Sequence, residues 1–287
     1  MTKRMLVIGK TGQLGQSLQK VAAEYPQFEF EFVGREQLDL SCAESLQAFF
    51  ATNVQPYVAI INAAAYTAVD KAESEPELAE RINHQAVAEL AQLACKQGSF
   101  LLHVSTDYVF DGRACRPYIE TDRAAPSSVY GASKLRGEQA LLASGCRGAV
   151  VRTGWVYSEY GHNFVKTMLR LGRERDQLGV VFDQVGTPTY ATDLARVCLQ
   201  VLDTPAVQGV YHYSNEGVCS WFDFAKAIFD LSGVACLVSP ITTEAYPTPA
   251  RRPHYTVLNK QRIKQETNLN IPYWRDSLQA CLELLEQ

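Results

Sequence analysis

The sequence lacks the features that mark several protein classes. Its eight cysteines are scattered, with no CxxC pair and no histidine-rich spacing, so we expect reduced thiols and neither disulfides nor zinc ligands. No apolar run approaches the roughly 18 residues of a membrane span, and residues 1–8 are too short for the apolar part of a signal peptide. The 27 basic and 31 acidic residues leave a net charge of only −4. We therefore expect a cytoplasmic protein that binds neither nucleic acid nor membranes.

Strand and helix patterns alternate along most of the chain, which predicts an α/β fold with a doubly wound parallel sheet. At 287 residues and 47% hydrophobic content, the chain can bury a large core. Besides a first strand at residues 5–8, strands are predicted at 28–33, 57–61, 100–104, 149–152 and 179–182. Helices are predicted at 76–97, 163–171, 192–202, 221–231 and 274–285, the first with an apolar stripe of Leu78, Ile82, Val87, Leu90 and Leu93.

A short apolar strand at residues 5–8 runs directly into three evenly spaced glycines, Gly9, Gly12 and Gly15, and then into a helical pattern. This arrangement is typical of the turn that brings backbone amides onto a dinucleotide pyrophosphate. An ordinary turn between a strand and a helix is the competing interpretation. A P-loop does not fit, because Lys10 and Thr11 lie inside the motif and no Gly-Lys-Ser/Thr closes it.

Tyr130 and Lys134 lie four residues apart, on one face of a predicted helix opened by Ser127 or Ser128. A free tyrosine titrates near ~10, and we expect the lysine ammonium to lower the pKa of Tyr130. Thr106 follows a predicted strand, where an open parallel sheet binds its ligands. It is therefore expected beside Tyr130, with its hydroxyl on a substrate oxygen. Alone, the tyrosine-lysine spacing is a weak signal, and a threonine after a strand is more often turn or capping chemistry; the combination favours catalysis.

These stretches resemble the extended short-chain dehydrogenase/reductases that act on nucleotide sugars. Four further stretches are similar to dTDP-4-dehydrorhamnose reductases, and the resemblance runs from Lys3 to about Leu285. The stretches that carry it are 9–15, 105–110 and 130–134, with 62–73, 152–157, 163–168 and 183–189. The resemblance implies a Rossmann domain of residues 1–155 plus about 187–215. It also implies a smaller mixed α/β substrate lobe of about 156–186 plus 216–287.

The resemblance implies NAD(P)H-dependent reduction of the C4 keto group of dTDP-4-dehydro-L-rhamnose, the last step of dTDP-rhamnose biosynthesis for polysaccharides. Tyr130 would give the proton, Thr106 would hold the oxygen, and Lys134 would support Tyr130 and bind the nicotinamide ribose. Substrate contacts are expected from Val69, Thr106, Asp107 and Trp155. Cofactor contacts are expected from Gly9, Thr11, Gly12, Gln13, Leu14, Gly15, Arg35, Asp39, Leu40, Ala63, Ala64, Ala65, Thr67, Tyr130 and Lys134. Arg251 and Arg252 are candidates for the substrate diphosphate.

Cofactor choice depends on the end of the second strand, where NAD-selective folds place an acidic residue on the ribose 2′-hydroxyl. Here Arg35 stands in that place and Glu36 follows one position later. A guanidinium can bind a 2′-phosphate through two hydrogen bonds, so we expect NADPH, with NADH as the alternative. The competing interpretation is that Arg35 is only a solvated loop charge.

Two related activities and one non-enzymatic role compete with reduction. Dehydratases carry a second acid after the threonine-aspartate pair, and Tyr108 stands there, so dehydration is not expected. A 4-epimerase and a non-catalytic regulatory subunit, as in the β subunit of methionine adenosyltransferase, stay open. Some relatives form a metal-bridged dimer through glutamates, but this chain has Gln16-Ser17 and Thr192-Asp193 at those places. We expect no metal and a monomer or weak homodimer.

Overall fold

The computed structural model describes residues 3–53, 55–204 and 207–286. The predicted domain limits at residues 1 and 287 lie outside these ranges. The strands are β1 Lys3–Ile8, β2 Phe28–Val33, β3 Ala59–Asn62, β4 Phe100–Thr106, β5 Gly148–Thr153, β6 Val156–Tyr157, β7 Gln177–Val181, β8 Val185–Gly186, β9 Thr189–Tyr190, β10 Gly209–His212, β11 Cys219–Ser220 and β12 Leu237–Ile241. The helices are α1 Gln13–Val21, α2 Ala43–Thr52, α3 Val69–Ala72, α4 Pro76–Glu80, α5 Ala86–Gln97, α6 Val129–Ala143, α7 Phe164–Glu174, α8 Ala191–Asp203, α9 Trp221–Ser232, α10 Gln261–Thr267 and α11 Trp274–Leu285. Within these ranges, no helix has both the length and the apolar character to cross a membrane.

The main sheet has six parallel strands in the order β10-β5-β4-β3-β1-β2. This confirms the predicted doubly wound sheet. Strand β2 and helix α11 have their predicted bounds, and most other predicted elements differ by one to three residues at their ends. The sixth strand, β10, was not predicted, because its four residues contain only a short apolar run and are recognised by their pairing with β5.

The predicted helix at 76–97 is interrupted by a π-helical turn, Arg81–Gln85, between α4 and α5. The wider turn changes which residues face the sheet, so the predicted stripe is partly wrong: Leu78 is exposed, whereas Asn83 is buried. Helix α6 packs directly on this turn. Gly137 of α6 lies so close to the carbonyl oxygen of Asn83 that a Cβ at this position would overlap it. The turn therefore fixes how closely the helix of Tyr130 and Lys134 approaches the sheet.

Hydrophobic cores cover both faces of the main sheet because alternate strand residues point to opposite sides. On one face, Val7 and Ile61 pack with helices α1 and α8. On the other, Leu6 and Ile60 pack with α2 and α5. A separate core holds α7, α9 and α11 together with β7 and β12. The carboxyl ends of β1, β3, β4 and β5 meet along one edge of the sheet, where the predicted site residues gather.

Candidate active site

The glycine turn after β1 has the close backbone approach that its sequence predicts. Gly9 has a φ of +100°, and a Cβ there would come within 2.9 Å of the Ala64 amide nitrogen. A Cβ at Gly15 would overlap the carbonyl oxygen of Gly9. Helix α1 begins just after Gly12. No side chain caps this end of the helix, so the first backbone amides of α1 are available to bind an anion.

The residues around this turn differ in what they can offer a ligand. Leu14 and Leu40 are buried in the cores, which leaves only their backbone for a cofactor. Gln13 is engaged elsewhere. Its amide nitrogen donates to the Val156 carbonyl at 3.3 Å, and its Oε1 accepts hydrogen bonds from Ser158 and Asn163 at 2.9 and 3.0 Å. The side chain of Gln13 therefore joins the glycine turn to the segment before α7. Thr11 is exposed.

Two cations lie at the end of β2. The Arg35 side chain is 77% exposed and donates to Asp39 Oδ2 at 3.0 Å. Lys10, which sequence reasoning did not select, forms an ion pair with Glu36 and donates to Gln37 Oε1 at 2.9 Å. Asp39 accepts from the backbone and hydroxyl of Ser41. Both cations suit a ribose 2′-phosphate by their charge, and each is paired with a neighbouring carboxylate, Lys10 with Glu36 and Arg35 with Asp39.

The loop after β3 is held by a residue that the sequence did not single out. Asn83, on the π turn, accepts from the Tyr66 amide at 2.8 Å and donates to the Tyr66 carbonyl at 3.0 Å. The same side chain donates to Ser133 Oγ at 3.1 Å, on α6. Ala63, Ala64 and Ala65 are half-buried beside the glycine turn, and Thr67 is exposed. The buried asparagine thus ties the predicted cofactor loop to the helix that carries Tyr130.

Thr106 and Tyr130 come together as the sequence predicts. Ser128 caps α6 by accepting from the Gly131 amide at 3.1 Å, and Thr106 ends β4. The Thr106 hydroxyl lies next to the Tyr130 phenol and favours its ionised form, although burial has the larger effect. It also accepts from the Tyr108 amide at 3.2 Å and contacts Asp107 Oδ1 at 3.1 Å. Burial raises the pKa of Asp107 to about 6, although hydrogen bonds from Thr256 and Thr106 oppose this rise.

The expectation that Lys134 lowers the pKa of Tyr130 is wrong for the ligand-free protein. Burial raises the pKa of the Tyr130 phenol, so the phenol is protonated at neutral pH. The amino group of Lys134 lies against β4 instead. Its Nζ donates to the Val104 carbonyl at 2.7 Å and lies 3.2 Å from His103 Nε2. Burial lowers the pKa of Lys134 to about 8, although the charge of Glu138 opposes this.

Trp155, a predicted sugar contact, has a strained backbone conformation. Its φ of +51° is unusual for a bulky residue. The indole stacks on Trp221 with centroids 3.6 Å apart and planes 11° from parallel, and on its other side a Cβ at Gly186 would come within 2.8 Å. Sequence reasoning missed Trp221, which is distant in the chain. Val69 begins α3 and is half-buried.

The two arginines that were candidates for the substrate diphosphate differ in their surroundings. Arg252 is half-buried and forms an ion pair with Asp70 at 2.7 Å, next to Val69 on α3, whereas Arg251 is exposed. The same carboxylate accepts from the Ala250 amide at 3.2 Å. Asp70 therefore pins the proline-rich loop of residues 246–253 against α3, beside the predicted sugar contacts.

The hydrogen-bond donors and cations around the glycine turn fit a dinucleotide. Open amides at the start of α1 and the cations Lys10 and Arg35 suit phosphates, and the backbone of Gly9 leaves no room for a side chain. Over the described ranges, no cluster of three or more histidine, cysteine, aspartate or glutamate side chains could hold a metal ion.

A glycine turn at the first strand, with Thr106, Tyr130 and Lys134 at the edge of a six-stranded parallel sheet, defines a Rossmann-fold oxidoreductase of the extended short-chain dehydrogenase/reductase class. The family model described as the RmlD substrate binding domain matches residues 3–287, and the chain belongs to this family.

Similar proteins cover nearly the whole chain. The dTDP-4-dehydrorhamnose reductase of Aggregatibacter actinomycetemcomitans is 43% identical, over 96% of this chain and 97% of its own length. A dTDP-4-dehydrorhamnose reductase structure from Clostridium acetobutylicum superposes with a TM-score of 0.94 at 41% identity, covering 99% of this chain and 100% of that one. The Bacillus anthracis enzyme, solved in complex with NADP, gives 0.93 at 37% identity with the same coverage.

Proposed function

We propose that this protein reduces the C4 keto group of dTDP-4-dehydro-L-rhamnose to give dTDP-L-rhamnose, with NADPH as the reductant. The observation that carries the proposal is that the hydroxyl of Thr106, at the end of β4, lies beside the phenol of Tyr130, on α6, in a chain of this family. Relatives named for this reaction cover nearly all of the chain, and a structural relative was solved with NADP.

When bound, NADPH supplies the hydride for the C4 carbon. Tyr130 supplies the proton, because a phenol whose pKa is raised by burial is protonated at neutral pH and can donate to the developing alkoxide. Thr106 orients that oxygen. Its hydroxyl accepts from the Tyr108 amide, so its single proton is directed to Asp107 or, in the complex, to the substrate oxygen. Lys134 binds the nicotinamide ribose in this proposal.

The remaining residues divide between the two ligands. For the cofactor we propose the glycine turn with Thr11, the cations Lys10 and Arg35, the backbone of Leu40, and the loop 63–67. For the sugar we propose Asp107, Val69 and Trp155. These assignments rest on their position around the carboxyl edge of the sheet.

The division into a Rossmann domain and a smaller substrate lobe stays a prediction, as does a monomeric or weakly dimeric state. Light scattering with and without magnesium tests the second. We expect the same mass in both conditions, and magnesium-dependent dimerisation would contradict it.

The test is oxidation of NADPH, followed by its absorbance, with freshly prepared dTDP-4-dehydro-L-rhamnose and with Tyr130→Phe as the variant. We expect turnover by the wild type and a loss of at least about 100-fold in kcat for the variant, with the KM for NADPH unchanged. Tight NADPH binding without turnover would contradict the proposal and favour a 4-epimerase or a regulatory subunit. An epimerase would instead interconvert C4 epimers without net NADPH consumption.

A further inference from the structure

Three buried side chains form a chain of contacts beneath the proposed active site. Asn62 Nδ2 lies 3.2 Å from His103 Nδ1, and His103 Nε2 lies 3.2 Å from Lys134 Nζ. All three side chains are at most 1% exposed. Asn62 and His103 are paired across β3 and β4, so their side chains leave the sheet on the same face. Because water does not reach these groups, their protons must satisfy one another.

The amide of Asn62 can have only one orientation. Its Oδ1 accepts a hydrogen bond from the Ala64 amide at 3.2 Å. The reverse orientation would place the Nδ2 hydrogens against this N–H group, with two donors facing each other. Nδ2 therefore points at His103 and donates.

The tautomer of His103 follows from this orientation. Nδ1 faces a donor, so it must carry a lone pair, and the single proton of the neutral imidazole lies on Nε2. The charged imidazolium is excluded, because it carries a proton on both nitrogens. Burial lowers the pKa of His103 well below its ordinary value, in agreement with a neutral ring.

The protonation of Lys134 follows in turn. An ammonium group has three donors and no acceptor, so it cannot accept the Nε2–H of His103. An uncharged amine can, because it has one lone pair, and it still has a proton for the Val104 carbonyl at 2.7 Å. The complete set of hydrogen bonds around Lys134 is therefore satisfied only by the uncharged amine.

We infer that His103 is a positioning residue that stabilises the uncharged amine of Lys134, through a tautomer set by Asn62. Charging Lys134 then requires the His103–Lys134 hydrogen bond to break. The pair sets the pH at which the lysine gains its charge. Only the link from this pair to catalysis rests on the proposed function.

Other charged groups around Lys134 oppose this effect or are already paired. Glu138, one turn further along α6, favours the ammonium form. Its carboxylate is bound by Arg152 on β5, which approaches His212 on β10 at 3.5 Å. From the elements packed on α6, the remaining ion pairs lie outside this cluster: Glu80 with Arg136 and His84, Arg81 with Glu89, and Asp70 with Arg252. The charges of Asp107 and Tyr108 act on Tyr130 instead, and they raise the pKa of its phenol.

The first test is the ¹⁵N NMR spectrum of histidine-labelled, cofactor-free protein at about pH 9.5, above the pKa of about 8 for Lys134, where the uncharged amine predominates. Two-bond couplings distinguish the ring tautomers, and comparison with His103→Gln assigns His103 among the five histidines. We expect a proton on Nε2 and a bare Nδ1. A proton on Nδ1, or on both nitrogens, overturns the inference. The measurement needs neither substrate nor turnover, so it stays decisive if the proposed reaction is wrong.

The second test is Asn62→Asp, which keeps the shape and replaces the donor with an acceptor. His103 should then move its proton to Nδ1 and accept from the Lys134 ammonium. We expect the pKa of Lys134, followed through its ε-¹³C resonance, to rise by about one unit or more. The alkaline limb of the kcat/KM profile should move with it.

Two controls separate the tautomer from added charge. Asn268→Asp adds a carboxylate at an exposed position and should leave Lys134 unchanged. Asn62→Asp in a His103→Gln background keeps the added charge and removes the ring. An equal rise in the pKa of Lys134 with and without His103 would reduce the effect to charge alone and contradict the inference.

Discussion

The hydroxyl of Thr106 lies 3.1 Å from Oδ1 of the adjacent Asp107, and both side chains are buried at the end of β4. A threonine hydroxyl has one proton. The ionisation state of Asp107 therefore decides whether Thr106 uses this proton in a hydrogen bond to the Asp107 carboxylate. An ionised Asp107 accepts it. A protonated Asp107 can donate to Thr106 and release that proton for a substrate oxygen.

Asp107→Asn should change how stability depends on pH. Burial raises the pKa of Asp107 to about 6 from 3.8, so the folded state binds this proton more tightly than the unfolded state. The free energy of unfolding of the wild type, relative to that of the variant, should therefore fall by up to ~3 kcal/mol as pH rises from about 4 to about 6. It should stay at this lower value at higher pH. Urea unfolding at several pH values measures this difference. Parallel curves for the two proteins would contradict it.

Arg35→Ala should weaken NADPH selectively. The Arg35 guanidinium is exposed and can exchange its surface contact with Asp39 for a 2′-phosphate, so we expect a KM for NADPH raised about 10-fold and a KM for NADH within twofold of the wild type. Glu36→Gln should release Lys10 and lower the KM for NADPH. Arg147→Ala, an exposed arginine just before β5 at the opposite edge of the sheet, is the charge-matched control. Equal losses for both cofactors would show that Arg35 does not read the 2′-phosphate.

Trp221→Leu should raise the KM for the sugar nucleotide about five-fold or more and leave the KM for NADPH unchanged. The stack on Trp221 supports the unfavourable φ of Trp155, and its loss allows the indole to leave the site. Tryptophan emission reports the unstacking directly. Trp274→Phe, a buried tryptophan of the same core, is the control. If both variants behave alike, the effect is one of core packing.

Arg252→Ala should raise the KM for the sugar nucleotide about 10-fold, because the half-buried guanidinium stands beside the proposed sugar contacts and is oriented by Asp70. The exposed neighbour gives a matched control: Arg251→Ala should change that KM less than twofold. Isothermal titration with dTDP measures binding without turnover. Equal effects of the two variants would remove the special role of Arg252.

Glu138→Gln should destabilise the fold by about 3–5 kcal/mol, because it leaves the buried guanidinium of Arg152 without its counter-charge. The exposed pair Arg170–Glu174 offers the comparison, and Glu174→Gln should change stability by less than about 0.5 kcal/mol. Chemical denaturation of both variants tests this contrast. A small loss in Glu138→Gln would mean that water or His212 compensates Arg152.

Local sequence patterns predicted most of the main sheet and of α6, because each element carries its own signals. The strand Phe28–Val33 and the helix Trp274–Leu285 have an apolar pattern that requires no partner to be recognised. The π turn of Arg81–Gln85 has no such signal. The turn accompanies the contact of Asn83 with Gly137 on another helix. The local pattern does not contain this contact, so it wrongly placed Leu78 among the buried residues.

By itself, the sequence determined the glycine turn, the four-residue spacing of Tyr130 and Lys134 on one helix, and the family of the chain, because these depend on residue type at fixed local spacing. The tertiary structure decided the charge state around them. Whether Tyr130 is protonated and what Lys134 binds depend on burial and on His103 and Asn62, which come from separate strands. Proton positions follow from three-dimensional neighbours, since desolvation and hydrogen bonding act through space and not along the chain.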